Sequence, residues 1–144
     1  MKLVIADTGA LISLGHVGQI DLIDKVFGEF YIAEAVWEEL KEYEHPNFDR
    51  SILKRLENRV MKIMSNNYLS VIMDYGESES VILYSELQAD YLLVDDNKAR
   101  IIAESFNVRC IGSIGLLIRA KQKGFLSALK PIFENWVANN RYFS

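Results

Sequence analysis

The chain has 144 residues, 50% hydrophobic and 25% charged, with a net charge of −4. That length suits one domain and buries enough surface to fold without a disulfide or metal staple. The single cysteine, Cys110, excludes an internal disulfide and argues against a thiolate zinc site.

The apolar run at the N-terminus stops at Asp7, too soon for a signal peptide, and no stretch approaches the roughly 20 apolar residues of a membrane span. The expectation is a cytoplasmic protein with no membrane contact. Charge is unevenly spread. Residues 1–96 carry 8 Lys/Arg against 18 Asp/Glu, whereas residues 97–144 carry 8 against 2. Such asymmetry hints at a nucleic-acid partner, although solvated helix faces of opposite sign would also produce it.

Leu3-Val4-Ile5-Ala6 reads as a buried strand ending at Asp7-Thr8-Gly9. Ala10 to Leu14 continues as a helical turn broken near Gly15 and Gly18. Ile20, Leu22, Ile23 and Val26 carry a second helix that stops at Gly28, and Phe30-Tyr31-Ile32 forms a second strand. Val36, Trp37 and Leu40 make the apolar stripe of a helix over residues 33–43. Asp49 caps a further predicted helix reaching Asn58, and a strand over 60–64 follows.

Gly76 opens a helix to about Leu87. Tyr91-Leu92-Leu93-Val94 is the clearest strand and again ends in carboxylates, Asp95-Asp96. Then come a helix to Phe106, a short strand over 108–111, and a helix from Gly112-Ser113 to Gly124. The last helix, over 128–139, has Pro131 near its start, where proline is tolerated. Strands alternating with helices predict one α/β domain over residues 1–144: a parallel sheet in a three-layer α/β/α sandwich. Sites in such sheets form outside the carboxyl ends of strands, where Asp7 and Asp95-Asp96 fall.

Glu39 on its helix and Glu77 in the first turn after Gly76 could join these acids. Carboxylates crowded together repel unless a cation sits among them. An oxygen-only set without histidine suits Mg²⁺ or Mn²⁺ better than zinc. A cation held there would polarise a phosphodiester and activate a water. Each acid also has an ordinary role open to it. Asp7, Asp95 or Asp96 could cap the helix that follows. Glu39 could be a solvated face residue, and Glu77 could serve the helix dipole.

His16 and His45 have no spacing that suggests a metal site or a catalytic triad. Gly112-Ser113-Ile114-Gly115 is too short for a P-loop and reads as a tight turn, although its N–H groups could hold a phosphate. Asp7-Thr8-Gly9-Ala10 is shared with retroviral-type aspartic proteases, but the helices that follow contradict their almost wholly β fold. A haloacid-type phosphatase would want an aspartate where Gly9 stands.

Five blocks in order along the chain resemble the PIN-domain family and, within it, the branch of VapC-like toxin proteins. Val4-Ile5-Ala6-Asp7-Thr8 is similar to that family's first strand and aspartate. Ala35-Val36-Trp37-Glu38-Glu39-Leu40 resembles its glutamate-bearing helix, and Gly76-Glu77-Ser78-Glu79-Ser80 its Gly-Glu helix start. Leu92-Leu93-Val94-Asp95-Asp96-Asn97-Lys98-Ala99-Arg100 looks like its second acidic strand end, with Asp96 the better match to the acid. Ile111-Gly112-Ser113-Ile114-Gly115-Leu116-Leu117, with Ala120-Lys121 and Gly124, resembles the branch's C-terminal signature. Two departures are a glutamate at the third acid and Ser113 where threonine is common.

The resemblance implies an endoribonuclease for single-stranded RNA that uses Mg²⁺ or Mn²⁺. It also implies a homodimer and, often, a small antitoxin protein as partner. Asp7, Glu39, Glu77 and Asp96 would be the catalytic and metal-holding acids, supported by Thr8, Asp95 and Ser113. Lys98, Arg100 and Lys121 are the expected contacts to the RNA backbone. The competing expectation is a non-catalytic relative that binds nucleic acid or protein. Residues 44–75 match no block, which leaves substrate selection open.

Overall fold

Five strands form the centre of the molecule, and each is short, apolar and rich in β-branched or aromatic residues. They are β1 (Lys2–Ala6), β2 (Gly28–Ala33), β3 (Val60–Met61), β4 (Tyr91–Leu93) and β5 (Cys110–Ile111). In this computed structural model, which describes residues 1–141, all strand pairs are parallel and the order is β3-β2-β1-β4-β5. Val4, Ile5 and Ala6 follow one another on β1, where side chains alternate between faces, and all are 0% exposed. Both faces of the sheet are therefore covered, as the expected α/β/α layering requires.

The covering helices are α1 (Thr8–His16), α2 (Leu22–Phe27), α3 (Glu34–Glu42), α4 (Ile52–Leu56), α5 (Tyr75–Glu86), α6 (Asn97–Ser105), α7 (Ser113–Gln122) and α8 (Lys130–Ala138). Helix α5 packs on β1, β2, β4 and α3, while α2 packs on β1, β2 and α7. Among the described residues, no helix is long and apolar enough to cross a membrane.

Strand order fixes where a site can form. The chain leaves β1 toward β2 and β3, then returns to the other side of β1 for β4 and β5. The order therefore reverses between β1 and β4, and the crevice beyond their carboxyl ends is the natural binding position of such a sheet. Asp7 follows β1 directly, and Asp95-Asp96 follow β4 after Val94.

Three elements differ from the sequence expectation. Helix α1 runs through Gly15 rather than breaking there. A Cβ at Gly15 would come within 2.6 Å of the Phe48 ring, so the glycine lets that ring seat against the helix. The helix expected over 49–58 shortens to α4 and a 3-10 turn at Glu57–Arg59. Asp49 turns its carboxylate to the nearby Ser51 N–H (2.9 Å) instead of starting a helix. The strand expected over 60–64 ends at Met61. Beyond it the Glu86 carboxylate accepts the Met64 and Ser65 N–H groups (each 2.9 Å), which diverts the chain from the sheet edge.

Candidate active site

Asp7 ends β1 with extended backbone and stands at the N-cap position of α1, yet its side chain makes no capping bond. Capping, its ordinary role, is therefore not what it does. It is 6% exposed, and its Oδ1 is buried with no hydrogen-bond partner. An unpartnered buried carboxylate oxygen is costly. Burial pushes the Asp7 carboxyl up to about 7. A bond from the Thr8 N–H opposes this, while the charges of Glu39, Asp74 and Asp96 add to it.

Glu39 comes to the same place from α3. Its carboxylate lies against the first turn of α5, where a Cβ on Gly76 would stand 2.0 Å from Glu39 Oε1. Only glycine allows this approach. The two helices are locked together by Glu79, whose carboxylate accepts the Ala35 N–H at 3.0 Å. Burial raises the Glu39 carboxyl above its ordinary value, with Asp74 adding to the rise; Thr8 and the Gly76 N–H lower it.

Glu77 follows Gly76 in the first turn of α5. Its N–H donates to the Asp74 carboxylate (3.2 Å), which caps this helix. The Glu77 carboxyl is held well above the usual carboxylate range. Burial is the main cause, followed by a hydrogen bond with Asp74 and the charges of Asp74, Asp7 and Asp96. Asp96 caps α6 by accepting the Lys98 N–H at 3.1 Å and is otherwise open to solvent. The four acids expected from the sequence thus meet within electrostatic reach of one another.

Asp74 is a fifth member that the sequence reading missed. It lines one cleft together with Glu77 and Asp96. Its signal was present, because Asp74 and Glu77 have the spacing of a capping pair at a helix start.

The supporting residues divide. Asp95 accepts both the Ser113 N–H and the Ser113 hydroxyl, each at 2.6 Å, and so ties the end of β4 to the start of α7. Ser113 is fully buried. The turn at Gly112-Ser113 therefore spends its Ser113 N–H on a carboxylate of the same chain. Burial raises the Asp95 carboxyl, against the two Ser113 bonds and the charges of Arg141 and Arg100. Thr8 has its Oγ1 buried beside Asp7 with no partner of normal hydrogen-bond geometry, although it faces Glu39.

The cations divide as well. Lys98 lines the acidic cleft. Arg100 instead borders a separate cavity with Asp95 and Gly112, where its charge lowers the Asp95 carboxyl. Lys121 stands apart from the acids. Helix α7 starts at Ser113 on the site's edge and runs away from it. Lys123, two residues beyond Lys121, bonds the Val26 carbonyl just before β2 begins, at the opposite edge of the sheet. His16 and His45 meet, with ring centroids 4.8 Å apart, at the far end of α1 from Asp7.

The fit of a divalent cation rests on these features. The donors are all carboxylate oxygens, one of them is buried and unpartnered, and burial with neighbouring negative charge raises the carboxyls of Asp7, Glu39 and Glu77. Among the described residues, no three His, Cys, Asp or Glu groups are close enough to enclose an ion. Asp74, Glu77 and Asp96 line the cleft, and groups spaced this openly would bind a cation only together with waters and substrate oxygens.

Carboxylates gathered at the switch point of a five-stranded parallel α/β fold can receive a cation. The family model of the PIN domain matches residues 3–144. The chain belongs to the PIN-domain family, whose members are generally nucleases and typically use divalent metal ions. No curated protein matches the chain.

Proposed function

We propose that the protein is a metal-dependent endoribonuclease that cleaves single-stranded RNA, acting as the toxin of a toxin–antitoxin pair and as a homodimer. The observation that carries the catalytic part is the buried, unpartnered Asp7 Oδ1 amid Glu39, Asp74, Glu77 and Asp96. A buried carboxylate oxygen without a partner calls for one that the fold itself does not supply. The toxin role and the dimer rest on the resemblance of the sequence blocks to the VapC-like branch.

Asp7 and Asp96 would hold Mg²⁺ or Mn²⁺, with Glu39 and Glu77 completing the oxygen set or binding its waters. The cation would supply positive charge to a phosphodiester and make a bound water acidic enough to attack near neutral pH. Lys98, on the cleft wall, would meet a neighbouring backbone phosphate. Burial and the neighbouring Asp74 hold the Glu77 carboxyl above the usual carboxylate range, so Glu77 could exchange a proton with the attacking water or the departing oxygen. The Asp95–Ser113 bonds hold the end of β4 against the start of α7.

The test incubates purified protein with single-stranded RNA in Mg²⁺ or Mn²⁺, beside EDTA and an Asp7→Asn variant. Cleavage that both controls remove is expected. Cleavage surviving both would mark a contaminant, and none under any condition would favour a binding module.

A further inference from the structure

Residues 70–74, within the stretch that matched no sequence block, form one wall of the acidic cleft. The segment is anchored from inside. Leu69 and Met73 are 4% and 8% exposed, and the Ile72 and Met73 N–H groups both bond the Leu69 carbonyl (3.0 and 3.1 Å). Asn67 Nδ2 reaches the Ser78 hydroxyl at 2.8 Å and so fastens the segment to α5. This anchoring turns Val71 and Ile72 outward, 86% and 48% exposed, on the rim of a cavity of about 400 Å³. Ala99 and Ile102 of α6 also line this cavity, as do Asp74, Glu77, Asp96 and Lys98. Tyr68 and Tyr75 flank the wall in sequence, 64% and 66% exposed.

Apolar side chains held outward beside carboxylates define a mixed surface with one apolar and one ionic half. A nucleotide has the matching halves: a flat base with apolar faces, and a phosphodiester that needs cations. We infer that Val71 and Ile72, with Ile102, form a subsite for one unstacked nucleobase next to the phosphodiester that the acids receive. This inference rests on the nuclease reading above.

A base in a duplex has both faces covered by its neighbours, so only an unpaired strand can place a base in the recess while its phosphate meets the acids. The contact is to a face that every base possesses, so it selects single strands without reading sequence. A protein segment in the same place would cover Asp74, Glu77 and Asp96 and would need cations of its own to offset them.

The test uses the unmodified protein with Mn²⁺ and a single-stranded RNA oligomer whose phosphorothioate linkages resist cleavage, and measures binding by fluorescence anisotropy. The same oligomer with abasic positions serves as a second probe. Replacing Val71 and Ile72 together by alanine should weaken binding of the parent oligomer by about tenfold and leave the abasic oligomer unchanged. Both residues are exposed, so the thermal midpoint of the variant should match that of the parent protein. With cleavable RNA, the same pair should raise KM with kcat altered less than about twofold. Equal weakening of both oligomers, or none, overturns the subsite, even if the wall proves to hold a protein. Cleavage that continues without discrimination sinks the subsite and leaves the nuclease reading standing. Absence of both cleavage and binding in the unmodified protein removes both.

Discussion

Asp7 and Asp95 leave adjacent parallel strands at the same edge of one sheet, and burial raises the carboxyls of both. Their surroundings are otherwise opposite. Asp95 has two short bonds from Ser113 and two guanidinium charges within reach. Asp7 has an unpartnered oxygen and negative neighbours. One strand end is built for stability, and the other is left electrostatically unfavourable. The comparison teaches that a strand-end position alone does not mark a catalytic acid; the state of its lone pairs does. Substitutions at the two ends should therefore change stability in opposite directions.

The largest expected effect is at Asp7. Its carboxyl titrates near 7 in the folded chain against 3.8 in an unfolded one, so the folded state holds the extra proton between those values. Stability is then fullest below the lower value and falls as pH rises through about 7. In EDTA at about pH 8, Asp7→Asn should be more stable than the parent by about 3 kcal/mol, and the gap should shrink by about pH 5. Urea unfolding at the two pH values measures this, and activity should be lost throughout. A destabilised Asn variant at the higher pH would break the comparison.

Asp95→Ala should move the other way. It strands the N–H and hydroxyl of the fully buried Ser113, at a cost of about 2–3 kcal/mol. Asp95→Asn keeps an acceptor and should recover part of that loss. If Asp95→Ala unfolded in urea like the parent, the structural assignment of Asp95 would fail.

Metal should sharpen the contrast. Cations bind deprotonated carboxylates, so Mn²⁺ should raise the thermal midpoint by several degrees at about pH 8 and by less at about pH 6. Asp7→Asn should abolish the shift. Because Asp95 is already occupied by Ser113, Asp95→Asn should retain a shift of the same sign. A midpoint indifferent to Mn²⁺ at both pH values would refute metal binding by these acids.

Much of this arrangement was legible in the sequence, because strand ends and helix starts have local signatures. β1 and β4 are short apolar runs stopped by carboxylates, and alternation with helices fixed the parallel class. Glu39 and Glu77 were legible only through family resemblance, since what brings them together is the close approach of α3 to Gly76, a contact between residues distant in sequence. Asp74 was overlooked because a helix cap looks the same whether or not an active site lies behind it. The surroundings of Arg100 and Lys121 were hidden for a related reason. Charge counted along the chain does not reveal that Arg100 turns toward Asp95 or that α7 carries Lys121 to the far edge. Val71 and Ile72 lacked any periodic pattern, and only the burial of Leu69 and Met73 turns them outward.

The smallest expected effect tests what joins the two strand ends. Arg141 donates from Nη2 to the Gly9 carbonyl (3.0 Å) and from Nε to the Ser13 hydroxyl (3.1 Å), while its charge reaches Asp95. Trp136, buried on α8, adds a bond from its indole N–H to the Ser13 carbonyl at 2.7 Å. The C-terminal segment thus grips α1 just behind Asp7 and places positive charge on the Asp95 side. Arg141→Ala should cost about 1 kcal/mol, because solvent can replace part of what a half-buried guanidinium provides. Arg141→Lys keeps the charge without the forked geometry and should restore less than half of that cost. The Ala variant should also weaken Mn²⁺ binding by a few-fold in calorimetry, since α1 presents Asp7 to the cleft from a looser mount. If Arg141→Ala lost stability with Mn²⁺ affinity unchanged, the grip on α1 would be structural only, and the two strand ends would be independent of each other.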